Sequence, residues 1–272
     1  MYKRQDSDNH IVFTSNKATP SKGDWRSIYL SGAEAGSVLD YCDISYGGYT
    51  GSSLHAKDTP GSNLKISNCT VINGKGIGIY LESSSPSISN CTVSSNDGDG
   101  IRLRYSSSPT ISGCEVSSNG SYGIYCYDTG SVPEVTGCNI TGNKGSAMRL
   151  SVEAVGKVSG CTISGNTPDV IEVLGGTLST AVWDEGVPYV ILGDLEVPDG
   201  ATLTLPPGCQ LKFGGGYLKV EGVLVADGEA DNHIVFTSNK ATPSKGDWGY
   251  ILFDGADSGS VLDYCDISYG GS

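Results

Sequence analysis

The stretch PSISNCTVSSNDGDGIRLR, residues 86–104, decides how this chain folds. It holds two short runs in which inward apolar residues alternate with polar ones. The first carries Ile88, Cys91 and Val93; the second is Ile101-Arg102-Leu103-Arg104. Alternation at a period of two marks a strand with one buried face. The Ser, Asn, Asp and Gly between the runs are turn formers. Working outward, the first run recurs as YCDISYGG from Tyr41, SNCTVING from Ser67, SGCEVSSN from Ser112, TGCNITGN from Thr136 and SGCTISGN from Ser159. The second recurs as Gly78-Ile79-Tyr80-Leu81 and Gly123-Ile124-Tyr125-Cys126, with related runs at 147–150 and 170–173.

The cysteines of the first run, Cys42, Cys69, Cys91, Cys114, Cys138 and Cys161, are spaced 27, 22, 23, 24 and 23 residues apart. Helical repeats run longer, about 33 to 47 residues, and the L-x-x-L-x-L pattern of leucine-rich repeats is absent. Two short strands per 22–24 residues with no helical segment between them predict an all-β chain, a right-handed parallel β-helix whose coils stack about 4.8 Å apart. Stacking brings equivalent residues into files. Cys and the following Val or Ile point inward. Asn96, Asn119, Asn143 and Asn166 each follow their cysteine by five residues, and Asn73 follows by four. They are expected to form an asparagine file at a turn, where Asn tolerates the left-handed conformation and stacked amides hydrogen-bond along the axis.

A longer period encloses the short one. Residues 8–48 return as 231–271, displaced by 223 residues without a gap and identical at 34 of 41 positions. The expectation is that the chain holds a little more than one period of a larger array. Residues 1–5 read as an artefact or unstructured leader, 6–176 as the Cys/Asn coils, and 177–272 as further coils opening the next long repeat. Gly175-Gly176 and the stretch 183–188 mark a junction.

Composition agrees. There are 272 residues, 39 of them Gly, with 38% hydrophobic content and only 4 Phe and 2 Met. That is lean for a globular core but sufficient for the narrow strip each coil buries. The net charge of −13 opposes binding to nucleic acid and anionic membranes. No apolar run approaches the roughly 20 residues of a membrane span.

The motif S-[NG]-C-x-[VI]-S-x-N followed by G-I-x-L, over residues 37–175, resembles the right-handed β-helix repeat proteins of the pectate-lyase-like superfamily. Residues 183–248 are similar to the leading coils of bacterial and archaeal secreted members. The resemblance implies this fold and an extracellular or cell-surface location. It does not fix an activity, because the superfamily holds lyases, hydrolases, adhesins and modules without known chemistry. In its lyases it implies clustered Asp for calcium and an Arg base; in its hydrolases, two or three Asp with a His and a basic pair.

The chain carries no G-H-G and no R-x-K. Its histidines are His10, His55 and His233, of which the first and last are copies at a strand start. Asp97 and Asp99 form the nearest acidic pair. They are turn residues on one reading and a calcium site on another, calcium being the one cofactor the sequence suggests. The EF-hand likeness fails at position twelve, which is Ser106. The nine cysteines read as a file of buried free thiols, with inter-coil disulfides or metal as the alternatives. The N-x-[ST] matches at Asn68, Asn90, Asn119 and Asn139 follow from the repeat grammar.

The outward side of the second run is the candidate site. Stacking places Tyr80, Arg102, Tyr125, Arg149 and Glu172 in one column, and Glu82, Arg104, Tyr127 and Ser151 in a second. Tyr faces stack on sugar rings, and Arg forks hold carboxylates or hydroxyls. The plainer reading is that Tyr and Arg are good solvent-facing strand residues that stabilise each other. The functional expectation is a non-catalytic extracellular β-helix module, structural or adhesive, with a polysaccharide as its partner on this ladder. The alternative is a polysaccharide lyase or glycoside hydrolase.

Overall fold

A computed structural model describes residues 6–61 and 64–271. Residues 1–5, read from the sequence as an artefact or unstructured, lie outside the described residues. The chain is all-β, built of parallel sheets stacked as a solenoid, and among the described residues the one short helix is Val152–Val155. It divides into two compact units. Among the described residues the first comprises those of 6–148 and 159–169, the second those of 149–158 and 170–271.

In the first unit each coil contributes three strands. One row runs Ile11–Phe13, Cys42–Ser45, Thr70–Ile72, Thr92–Ser94, Glu115–Ser117, Asn139–Thr141 and Thr162–Ser164. A second runs Ile28–Ser31, Ser52–Lys57, Ile77–Glu82, Ile101–Arg104 and Ile124–Cys126. A third runs Ser37–Asp40, Leu64–Ser67, Ser87–Ser89, Thr110–Ser112 and Glu134–Thr136. Every pairing between these strands is parallel.

The run around Cys91, a single strand on sequence, is therefore two strands, Ser87–Ser89 and Thr92–Ser94. The break is Asn90, whose φ of +52° turns the chain through a corner. Asn68 (φ +51°), Gly113 and Gly137 (both +60°) and Gly160 (+64°) occupy the same place in other coils. This is why Asn or Gly precedes each of these cysteines: only those residues enter the left-handed region at low cost.

The same logic corrects the asparagine file. The left-handed residue at the next corner is the one before it, namely Ser95, Ser118, Gly142 and Gly165. Asn73 (φ +55°) stands at that corner and not in the file, where Gly74 takes its place. The file itself is buried. Asn96 Nδ2 donates to Asn119 Oδ1 at 3.0 Å, Asn119 to Asn143 at 3.0 Å, and Asn143 to Asn166 at 2.8 Å. Each amide also donates to a backbone carbonyl one coil back, Asn119 to Val93 at 3.0 Å. The glycine of G-I-x-L makes room for it. A Cβ on Gly100 would sit 2.8 Å from Asn119 Nδ2 and 2.5 Å from Val116 Cγ1.

Between the rows lies an apolar strip. Ile44, Leu54, Val71, Ile79, Leu81, Val93, Leu103 and Ile140 are fully buried. Each such side chain contributes about 1.5–3 kcal/mol. All nine cysteines are free. Parallel side chains aim past each other, and the thiols of the file from Cys42 to Cys161 each reach a carbonyl instead: Cys91 Sγ lies 3.3 Å from Ser89 O. Burial, with a neighbouring thiol, pushes Cys42 up to about 11.

The second unit repeats the plan. Its rows are Ile171–Leu174, Tyr189–Ile191, Gln210–Phe213, Ile234–Ser238 and Cys265–Ile267; Gly176–Thr177, Leu195–Val197, Leu218–Val220 and Ile251–Phe253; and Ala181–Val182, Thr202–Leu205, Val223–Asp227 and Val261–Asp263. Its core is larger in side chain, with Trp183, Tyr189, Phe213, Phe236 and Trp248 all buried.

Candidate functional site

The second row of the first unit carries the site on its outward face. Register sets Tyr29, His55, Tyr80, Arg102 and Tyr125 side by side on five successive coils. Inward neighbours such as Leu54, Ile79 and Leu103 lock the strands, so the pleat fixes which residues face out. Two residues further along, Ser31, Lys57, Glu82 and Arg104 form the parallel column.

The first column is a run of rings interrupted by one cation. Tyr29 meets His55 edge-on at 4.8 Å between centroids, and His55 stacks on Tyr80 at 4.6 Å and 30°. Arg102 lies over Tyr125, 5.3 Å from its centroid, and Tyr122 packs against Tyr125 at 4.9 Å. Arg104 lies 4.3 Å from the ring of Tyr127 and 4.5 Å from that of Tyr105. Tyr29, Tyr105 and Tyr127 remain about half exposed. Tyr29, His55, Tyr80, Arg102 and the turn at Thr50 and Gly51 line a cavity of about 400 Å3.

The acids on this face are engaged. Asp99, fully buried, accepts from Arg102 Nε at 2.6 Å and from the Tyr122 amide at 3.2 Å. Glu82 Oε1 lies 3.1 Å from Lys57 Nζ, and its Oε2 lies 3.3 Å from His55 Nε2, in ion-pair range but outside hydrogen-bond geometry. Burial holds the His55 pKa below its ordinary value although Glu82 pulls it up, and Glu82 raises that of Lys57.

Of the residues singled out in the sequence, Tyr80, Arg102, Arg104, Tyr125 and Tyr127 converge here. Arg149 and Glu172 belong to the second unit, where they face each other at 3.9 Å. Asp97 bonds Lys22 at 2.7 Å, and Asp99 is held by Arg102, so both carboxylates of the suggested calcium pair have protein partners. Among the described residues, no group of three or more His, Cys, Asp or Glu is placed to hold a metal ion. His10 and His233 face Asp43 and Asp266, each at 3.1 Å, away from this column.

Sequence reasoning missed Tyr29, His55 and Lys57. Their strands read SIYLS and SSLHAK, without the G-I-x-L signature, because the asparagine file that requires its glycine begins at Asn96. The signal available was the alternation of Leu54, His55, Ala56 and Lys57. A second cavity, about 360 Å3, lies in the second unit beside Trp183, Tyr189, Pro206 and Pro207; the rings of Trp183 and Tyr189 are buried core rather than outward strand residues.

A family model described as right handed beta helix region matches residues 4–101 and 82–182, and one described as pectate-lyase like beta helix domain matches residues 175–272. No curated protein and no solved structure gives a significant match.

Proposed function

The chain belongs to the right handed beta helix family, and on that premise we propose that it is a non-catalytic module of the cell surface or exterior that binds an extended polysaccharide. The observation that carries the reading is the outward column of Tyr29, His55, Tyr80, Arg102 and Tyr125. Ring edges and hydroxyls at strand spacing, about 4.8 Å, with the half-exposed Tyr29 among them, offer contacts to successive sugars. Arg102 and Arg104 add hydrogen-bond donors on a protein that is otherwise acidic. The long repeat supports a binding role as well, since repeated weak sites gain strength by multivalency.

The rival reading, a lyase or hydrolase, asks for carboxylates free to act as acid, base or metal ligand. The acids beside the column, Glu82 and Asp99, are tied to Lys57, His55 and Arg102 instead, which favours binding. No described helix is long and apolar enough to cross a membrane.

A glycan array tests the proposal, run with and without calcium on the intact chain and on Tyr80→Ala/Tyr125→Ala. Arg102 is left in place, because removing it strands the buried charge of Asp99, which costs about 3–5 kcal/mol. Binding to a polysaccharide that falls at least about tenfold in the double variant, with an unchanged melting temperature, is expected. Absence of binding to any glycan, or binding unchanged in the variant, overturns the assignment.

A further inference from the structure

The ringed column and the one parallel to it carry Lys57, Arg102 and Arg104, and each cation is set against an acid of the chain. Arg102 Nε donates to the fully buried Asp99 at 2.6 Å. Lys57 Nζ lies 3.1 Å from Glu82 Oε1, and Asp58 follows the lysine in the chain. Arg104 stands opposite Glu82 in register. Its guanidinium lies over the ring of Tyr105, whose backbone amide donates to Asp128 Oδ2 at 2.6 Å. His55 adds no charge at pH 7, because burial holds its pKa below the ordinary 6.5. Three cations therefore meet four carboxylates, those of Asp58, Glu82, Asp99 and Asp128.

This balance bears on which glycans the face can hold. A polyuronate carries a negative charge on every sugar. To settle on a molecule of net charge −13 it needs a local excess of cations, and the two columns hold none among the described residues. The cavity on the first column points the same way. Ser27, Thr50 and Ser52 line it together with Tyr29 and Tyr80, and its one ionised lining residue is Arg102, already held by Asp99. Hydroxyl groups donate and accept, as the hydroxyls of a sugar do, whereas a carboxylate only accepts. Burying a carboxylate there without a cation of its own is costly.

We infer that this face selects uncharged polysaccharides over polyuronates, because every cation on it is already matched by an acid of the chain. The inference rests on the glycan reading and adds the class of glycan.

A glycan array tests it on the intact chain, with each uronate-containing polysaccharide also present in its carboxyl-reduced form, where a primary alcohol replaces the acid. Binding is expected on neutral glycans, and on a reduced form at least about tenfold more strongly than on its acid parent. That binding is expected to change less than about twofold between about 50 and about 500 mM salt. Glu82→Gln, with its fold checked by a melting curve, uncovers a cation and is expected to strengthen binding to the acid forms about fivefold or more. Acid forms bound as tightly as their reduced counterparts, binding to neutral glycans that falls away with salt, or a folded Glu82→Gln variant that gains nothing on the acid forms overturns the inference and leaves the glycan reading standing. Binding to no glycan in either form overturns both.

Discussion

Asn119 illustrates how much one side chain does in a solenoid. Its Oδ1 accepts from the backbone and side-chain amides of Asn96, and its Nδ2 donates to Val93 O and Asn143 Oδ1, all away from water. Asn119→Ala leaves several of these groups without partners, each worth about 1–3 kcal/mol, so a loss of about 3 kcal/mol is expected in urea unfolding. His55 gives a pH signature. Burial holds its folded pKa below the ordinary 6.5, so the unfolded chain takes up the proton first. Its contribution is complete above pH 6.5 and is lost as pH falls from there through the folded pKa. The urea midpoint is expected to drop between pH 7.5 and 5.5 less steeply in His55→Gln than in the parent; equal slopes would contradict this. The site was half legible at this scale. Tyr80, Arg102 and Tyr125 follow from a regular G-I-x-L strand, where the pleat dictates the outward position. The tie of Arg102 to Asp99 was not legible, because Asp99 sits in a turn whose composition suits any loop.

At the scale of the element, the corner and the strand are one design. Asn90 turns the chain with φ +52°, and Gly100 clears space for the Asn119 amide. Asn90→Ala is expected to cost about 1 kcal/mol and Asn90→Gly almost nothing, since only the left-handed backbone is at stake. Gly100→Ala is expected to cost about 2 kcal/mol, because the added carbon meets Val116, the Asn119 amide and the Gly123 carbonyl together. Urea midpoints of the three variants check the ranking. Strand positions were readable from alternation, but the count per coil was not. A left-handed corner inside SISNCTV leaves the inward residues Ile88, Cys91 and Val93 in place while splitting one strand into two. The next corner of the coil explains Asn73, whose spacing of four rather than five placed it outside the buried file.

At the scale of the whole molecule, the short repeat made the parallel solenoid legible, because in-register stacking lets one coil predict the next. What it left unreadable lies in the early coils, where Tyr29 and His55 extend the ringed column without the repeat's signature. The central claim is that this column is a binding surface for an extended glycan. The most direct test is the affinity of the intact chain for oligosaccharides of increasing length, drawn from the polysaccharide the array identifies and measured by titration calorimetry. Four coil steps from Tyr29 to Tyr125 span about 19 Å at the strand spacing. Affinity is expected to rise with length until the ligand covers that distance and then to level off, with Tyr29→Ala weakening only the ligands long enough to reach it. Affinity independent of length, or the same loss in Tyr29→Ala for short and long ligands, would contradict the account.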